Sequence, residues 1–397
     1  MQVEIHILQS FPPANLNRDE NGMPKSTVFG GRSRARISSQ CQKRAVRLHY
    51  QEHSDLDPQL FAKRSKEWIS HISENLEHQG ISKDKADLAA AYAITVFTEK
   101  KEGKGKLKKK ENKKKNDEVN EESNAKLDTM MFLGNSELQT LSNFLMANWA
   151  QVESDISAKE PALSKHLVDG IKSTLEKKAK PGDVALFGRM MANLPTANVD
   201  AAVQMAHAIS VNKLQQEFDF FTAVEELAKP DSVGSGHMGE TGYNSSTYYR
   251  FTTLDTKQLQ KNLGSDEQLA NITQAFAEAF IHAIPTGHQN GFAAHSLPAA
   301  VIIVVRKGQP ISLVDAFEKP IEPTPKDDKS LLENAVSKLD EHWAELCKMY
   351  GEKSVVFKGV VTRTQLAQQL KALKEDEKPS IDELIKDAMS AVFEGGQ

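Results

Sequence analysis

Apolar residues recur at every second position in some stretches of this chain and at every third or fourth in others. The two kinds of stretch follow one another in no fixed order, and that irregularity constrains the fold more than any other feature. The run VEIHILQ at 3–9 sets Val3, Ile5 and Ile7 against polar neighbours and reads as a strand. DVALFGRMM at 183–191 also reads as a strand, as do the aromatic runs FDFFTAV and STYYRFTTL, the apolar AAVIIVVR, and SVVFKGVV at 354–361. Helical spacing begins after Ser38 and Ser39, fills 59–99 in two pieces broken near Gly80, and covers 135–178 in two more. It returns in VDAAVQMAHAI at 199–209, in 266–284, in SLLENAVSKLDEHWAELCKMY and in the tail. A doubly wound sheet needs strand and helix to alternate regularly. This chain does not, so the expected class is α+β.

One segment stands apart from any packed layer. KKEGKGKLKKKENKKKNDEVNEESN starts at Lys100 and places ten lysines between 100 and 115, followed by acids. With almost no apolar surface to offset its ordering entropy, it is expected to be a mobile loop over 100–125. The rest of the chain is ordinary: 39% hydrophobic and 26% charged residues are those of a soluble globular protein. No apolar run approaches the ~18 residues of a membrane span, and the first residues lack a signal-peptide core, which predicts a chain that is not exported. Cys41 and Cys347 show no paired spacing, which fits a reducing cytoplasm and argues against a structural zinc site.

Charge is distributed unevenly. The net charge is −4, yet Asn21 to Gln51 holds seven Lys or Arg and no acid, leaving −11 for the remainder (−4 minus 7). Within VFGGRSRARISSQCQKRAVR, Arg32, Arg34 and Arg36 alternate and in an extended chain project to one side. Gly30 and Gly31 permit close backbone approach. On the helix that follows, Gln40, Lys43 and Arg47 share one face, while Cys41, Ala45 and Leu48 form an apolar face turned inward. The helix start, with the hydroxyls and amides of Ser38 and Ser39, is itself suited to an anion. Guanidinium forks, orphan amides and a lysine face within twenty residues point to several phosphates in a row, hence to a nucleic-acid backbone. The plainer reading is a solvated basic helix beside an arginine-rich loop.

The segments LNRDENGMPKSTVFGGRSRARISSQCQKRAVR, DVALFGRMMANLPTANVDAAVQMAHAIS, FDFFTAVEEL and TYYRFTTL together resemble the Cas7 family in its type I-E form, also called Cse4 or CasC. The resemblance runs in order through most of the chain and is weakest in 55–180 and beyond 350. It implies a non-catalytic backbone subunit of the Cascade CRISPR surveillance complex, stacked head to tail with copies of itself along a CRISPR RNA. The RNA spacer would be presented to target DNA for antiviral defence in the cytoplasm. The other Cascade subunits (Cas5, Cas6, Cas8/Cse1 and a Cse2-like protein) would be partners, with no cofactor, metal or membrane. The implied fold is an RRM-like (ferredoxin-like) palm from 1–54, 183–211 and 251–397, the last ending in a helical tail. A helical fingers insertion at 55–182 and a β-hairpin thumb at 212–250 complete it.

By the same resemblance Arg18, Lys25 and Arg32 lie in palm loops near the RNA backbone. Ser38, Gln40, Lys43 and Arg47 belong to the helix that grips phosphates. Arg189 and Met190 sit close to the bases, Phe221 and Thr222 beside a displaced nucleotide, and Met238 at the apolar thumb tip. The tip AKPDSVGSGHMGETGYN is longer and richer in glycine than the family pattern, and the lysine block is a further departure.

Three other patterns need a reading. GSGHMG at 234–239 matches a dinucleotide-binding fingerprint by letter, but strand-like residues follow it where a helix is required, so a hairpin tip is expected. His282, His288 and His295 fit no zinc spacing and read as surface histidines. Asp19 and Glu20 beside a basic loop raise an alternative: a type III-like backbone subunit that cleaves target RNA with Asp19.

Overall fold

The computed structural model describes residues 1–98, 127, 129–177, 179–224, 235–323 and 329–394, with 223–224 and 235–238 described by backbone alone. The lysine block therefore lies outside the described residues. In chain order the elements are β1 (Gln2–Ala14), β2 (Ser26–Phe29), β3 (Arg32–Ile37), α1 (Ser39–His53), β4 (Ala62–Ser65), α2 (Trp68–Glu77), α3 (Lys83–Thr98) and β5 (Met131–Gly134). Then come α4 (Asn135–Ala147), α5 (Trp149–Ile156), α6 (Lys165–Glu176), α7 (Gly182–Phe187), β6 (Val203–Met205), β7 (Ala208–Ser210), β8 (Gln216–Val224) and β9 (Ser235–Asp255). The chain closes with α8 (Thr256–Leu263), α9 (Leu269–His282), α10 (Gln289–Phe292), β10 (Ala300–Arg306), α11 (Leu331–Tyr350), β11 (Val355–Thr362) and α12 (Ile381–Phe393). No described helix is long and apolar enough to cross a membrane.

Two compact units are present. The first comprises 1–54, 203–256 and 270–397; the second comprises 55–202 and 257–269. The first is built on one sheet in the order β11-β10-β1-β9-β7-β3-β2, with β6 and β8 also paired to β9. Its named strands pair antiparallel, which is the α+β arrangement that irregular patterning implies. β1 lies between β10 and β9 and is buried along most of its length. One side of this region packs Leu8, Ile302 and Val304 against Phe317, Leu339 and Trp343, the last two from α11. α11 opens with a capping box in which Ser330 and Glu333 satisfy each other's backbone amides.

Polar side chains of β1 are buried with partners. Glu4 pairs with Arg306 at 2.7 Å, and His6 Nδ1 lies 2.8 Å from the Tyr249 hydroxyl, which accepts from Leu313 N–H at 2.9 Å. Such groups are tolerated in a core only when bonded in this way.

The second unit is mainly helical around Trp68, Ile72, Leu76, Phe97, Leu141, Leu145, Leu167 and Ile171, with β4 and β5 as a small antiparallel pair. Gly80, at φ +95°, stands between α2 and α3, where the break is expected. The region 135–178 holds three helices (α4, α5 and α6) rather than two.

Two expected elements exchange character. DVALFGRMM is not a strand: 182–187 form α7, whose residues are all buried, and Gly188 at φ +74° ends it. A short run apolar on every side does not distinguish helix from strand by period. VDAAVQMAHAI is not a helix: β6 and β7 occupy it, paired with β9 and, for β7, with β3. Ladder bonds from long-range neighbours override its alanine-rich local preference. Residues 183–202, expected with the sheet, belong to the helical unit, as do 257–269.

Candidate functional site

β3 leads directly into α1, and Ser38 between them is the N-cap, its hydroxyl accepting from Cys41 N–H at 3.3 Å. The buried face of α1 is Gln42, Ala45, Val46 and Tyr50, one residue round from the expected stripe; Cys41 and Leu48 are half-buried. Gln42 explains the rotation. Its amide donates to Ala206 O at 2.9 Å, and its oxygen accepts from Arg250 Nε at 3.3 Å. Arg250 also donates to Gln9 Oε1 at 2.6 Å and Phe280 O at 2.7 Å, and burial pulls its guanidinium down to about 10. This polar anchor was not legible from spacing, because a glutamine inside a helix normally reads as surface.

With that face inward, Gln40 and Arg44 are exposed and Lys43 and Arg47 half-buried. Arg18 and Arg32 are exposed and Lys25 half-buried. Lys25 is tied to the sheet edge: its carbonyl accepts from Arg36 N–H and its N–H donates to Asn17 O, both at 2.9 Å. The loop carrying Arg18 is closed by Asp19, whose carboxylate accepts from the N–H groups of Asn21 and Met23 at 2.9 Å. Asp19 therefore serves as a turn cap.

The three alternating arginines do not share a role. Arg34 is fully buried, and its guanidinium donates to the carbonyls of Ser210, Val211, Phe317 and Glu318 at 2.8 to 3.3 Å. Arg32 is exposed and Arg36 half-buried. The start of α1 is not an open anion site either. Besides the Ser38 cap, Ser39 N–H donates to His207 Nδ1 at 2.9 Å and Ser38 N–H to Asn17 Oδ1 at 2.8 Å. Ser38 itself is buried, so its role is to hold the helix end.

β8 and β9 form a hairpin with Phe221 opposite Gly239 and Thr222 opposite Met238. A Cβ at Gly239 would fall 2.4 Å from the Phe221 ring, so glycine makes room for it. Phe218, Phe220 and Phe221 are 57%, 61% and 46% exposed, and Thr222 is exposed. The side chain of Met238 lies outside the described residues. Of GSGHMG, residues 235–239 already lie in β9 and do not open a helix, which removes the dinucleotide reading. The hairpin base rests on the Arg18 loop: Asn15 Nδ2 donates to Gly22 O and Gly242 O at 2.9 Å, and a Cβ at Gly242 would meet the Met23 side chain.

Arg189 and Met190 belong to the other unit and differ sharply. Met190 is 87% exposed. Arg189 is buried, with one terminal nitrogen 2.8 and 2.7 Å from the two oxygens of Glu137 and further bonds to Ala197 O at 3.2 Å. It is a structural ion pair and not a contact to bases. Among the described residues no group of His, Cys, Asp and Glu is placed to hold a metal ion.

Residues 3–387 match the family described as CT1975-like protein. A solved chain described as "CRISPR RNA-guided surveillance complex, pre-nicking" superposes with a TM-score of 0.82 at 31% identity, covering 99% of this chain and 100% of that one. A chain of another "CRISPR RNA-guided surveillance complex" superposes with a TM-score of 0.73 at 26% identity, covering 98% of this chain and 100% of that one. No curated protein matches. These similarities support the Cas7 resemblance at the level of family. The chain belongs to the CT1975-like protein family.

Proposed function

We propose that this chain is a non-catalytic backbone subunit of a type I-E Cascade complex in the cytoplasm, binding CRISPR RNA in head-to-tail copies. Target DNA and the other Cascade subunits would be its further partners. The observation that carries the reading is the full-length similarity to a surveillance-complex chain at 31% identity, with no large part of either chain left over. In this reading the first unit is the RRM-like palm, the second supplies the helical fingers, and the β8–β9 hairpin is the thumb.

Arg18, Lys25, Arg32, Lys43 and Arg47 hold successive phosphates, and Gln40 sets register. Phe221 and Thr222 lie beside the nucleotide displaced by the hairpin, Met238 is the hairpin's apolar tip, and Met190 lies close to the bases. Contacts to phosphate and shape leave the pairing edges of the intervening bases free, so sequence is read by the guide and not by the protein. Head-to-tail copies meet through a heterologous interface, which builds an open filament whose growth is limited by RNA length.

Sizing the purified protein with single-stranded RNAs of increasing length tests this. Assemblies should grow with RNA length; one copy per RNA at every length would overturn it. Cleavage of guide-matched RNA that disappears in Asp19→Ala would favour the nuclease alternative, although Asp19 already caps its own turn.

A further inference from the structure

The β3–β7 ladder ends with Ile37 opposite Ala208, which sets His207 opposite Ser38 at the point where strand becomes basic helix. Its Nδ1 accepts the Ser39 N–H at 2.9 Å. An imidazole nitrogen that accepts carries no proton, so the proton of the neutral ring sits on Nε2. Nε2 has no partner among the described residues, and the side chain is exposed. The charged side chains felt at this ring are Arg36 from β3 and Lys25 from the preceding loop, both cationic. Arg36 is held against the same edge, its Nε donating to Ser26 O at 3.1 Å. Desolvation of the ring, and then the charges of Arg36 and Lys25, hold His207 below the ordinary histidine value, in keeping with an Nδ1 that accepts from Ser39.

We propose that His207 is a phosphate-binding residue of the basic surface, presenting an oriented Nε2–H to a backbone phosphate held by Lys25 and Arg36. The inference rests on the RNA-binding reading and adds to it a neutral donor, aimed by the first turn of α1. Tying one ring nitrogen to a backbone amide fixes both tautomer and ring direction, as second partners do for other functional histidines. A neutral donor releases no counterion. Its removal lowers affinity equally at every salt concentration, whereas removal of a lysine also flattens the salt dependence.

The test uses the full chain, a short oligouridylate and two isosteric variants. His207→Asn places an amide oxygen where Nδ1 accepts but offers nothing at Nε2. His207→Gln places an amide N–H near Nε2 without the acceptor. Affinity should fall about tenfold in the Asn variant with an unchanged salt slope, and stay within about threefold of wild type in the Gln variant. If His207 merely caps α1, the order reverses. Retention by Asn or loss by Gln therefore overturns the proposal while leaving RNA binding by the chain intact. Wild-type protein that retains no oligouridylate at low salt overturns both readings.

Discussion

Replacing Arg189 by methionine separates a structural arginine from an RNA contact. The Arg189 side chain is 1% exposed and that of Glu137 7%, with the shortest contact at 2.7 Å. Further bonds reach Ala197 O at 3.2 Å and the carbonyls of Phe132 and Leu175 at 3.4 Å. One guanidinium thus ties together β5, α4, α6 and the 195–197 turn. In Arg189→Met the Glu137 carboxylate stays buried, still accepting from Gly134 N–H at 2.9 Å through its own capping box. Breaking one side of a buried pair costs about 3–5 kcal/mol. That is a large share of the ~5–15 kcal/mol that holds a typical domain folded. Hydrogen–deuterium exchange should show protection lost across α4 and α6 while β1, β9 and β10 keep theirs. Adding Glu137→Gln removes the stranded charge and keeps an acceptor for Gly134, so the double variant should recover part of the loss. RNA affinity of the folded fraction should stay within about threefold of wild type, since no contact to RNA is removed. Unchanged protection in α4 and α6 together with lost RNA binding would refute this account and restore Arg189 as a contact to bases.

Other outcomes follow from the same structure. Lys43→Gln with Arg47→Gln should weaken binding of all RNA sequences alike and reduce the salt slope by about 1.4, roughly 0.7 per lost phosphate contact; a sequence-selective loss would count against the interface. Arg34→Met removes the guanidinium from the buried Ser210 and Phe317 carbonyls, while Val211 O keeps Ile321 N–H at 2.8 Å, and should destabilise the first unit by ~2 kcal/mol or more, read by urea unfolding; a cost below ~1 kcal/mol would show that the network is slack. Burial raises the Cys41 thiol, while burial and Glu352 push Cys347 up to about 11. Thiolate is the reactive form, so at pH 8 Cys347 should alkylate about a hundredfold more slowly than in the unfolded chain, and the gap should narrow as pH rises toward 11.

Some of this was readable before any fold was known. β1, β10, β11 and α11 announce themselves by their apolar pattern, and α1 begins at the Ser38–Ser39 pair where a helix start is expected. The basic segment is visible as charge without acid. The misread elements, α7 and the β6–β7 pair, are short, and there tertiary partners outweigh local preference. The burial of Arg34, Arg189 and Gln42 is not legible in the sequence, because residue type predicts exposure whereas carbonyls and a carboxylate supplied by distant segments make burial possible.

By itself the sequence determined the α+β class, the cationic start of the chain and the spacing that puts Gln40, Lys43 and Arg47 on one face of α1. Only the tertiary structure decided which cations are buried against acceptors inside the protein and which stand at its surface. The physical reason is that a guanidinium can be buried only where enough acceptors converge, and that convergence depends on contacts between residues far apart in the chain.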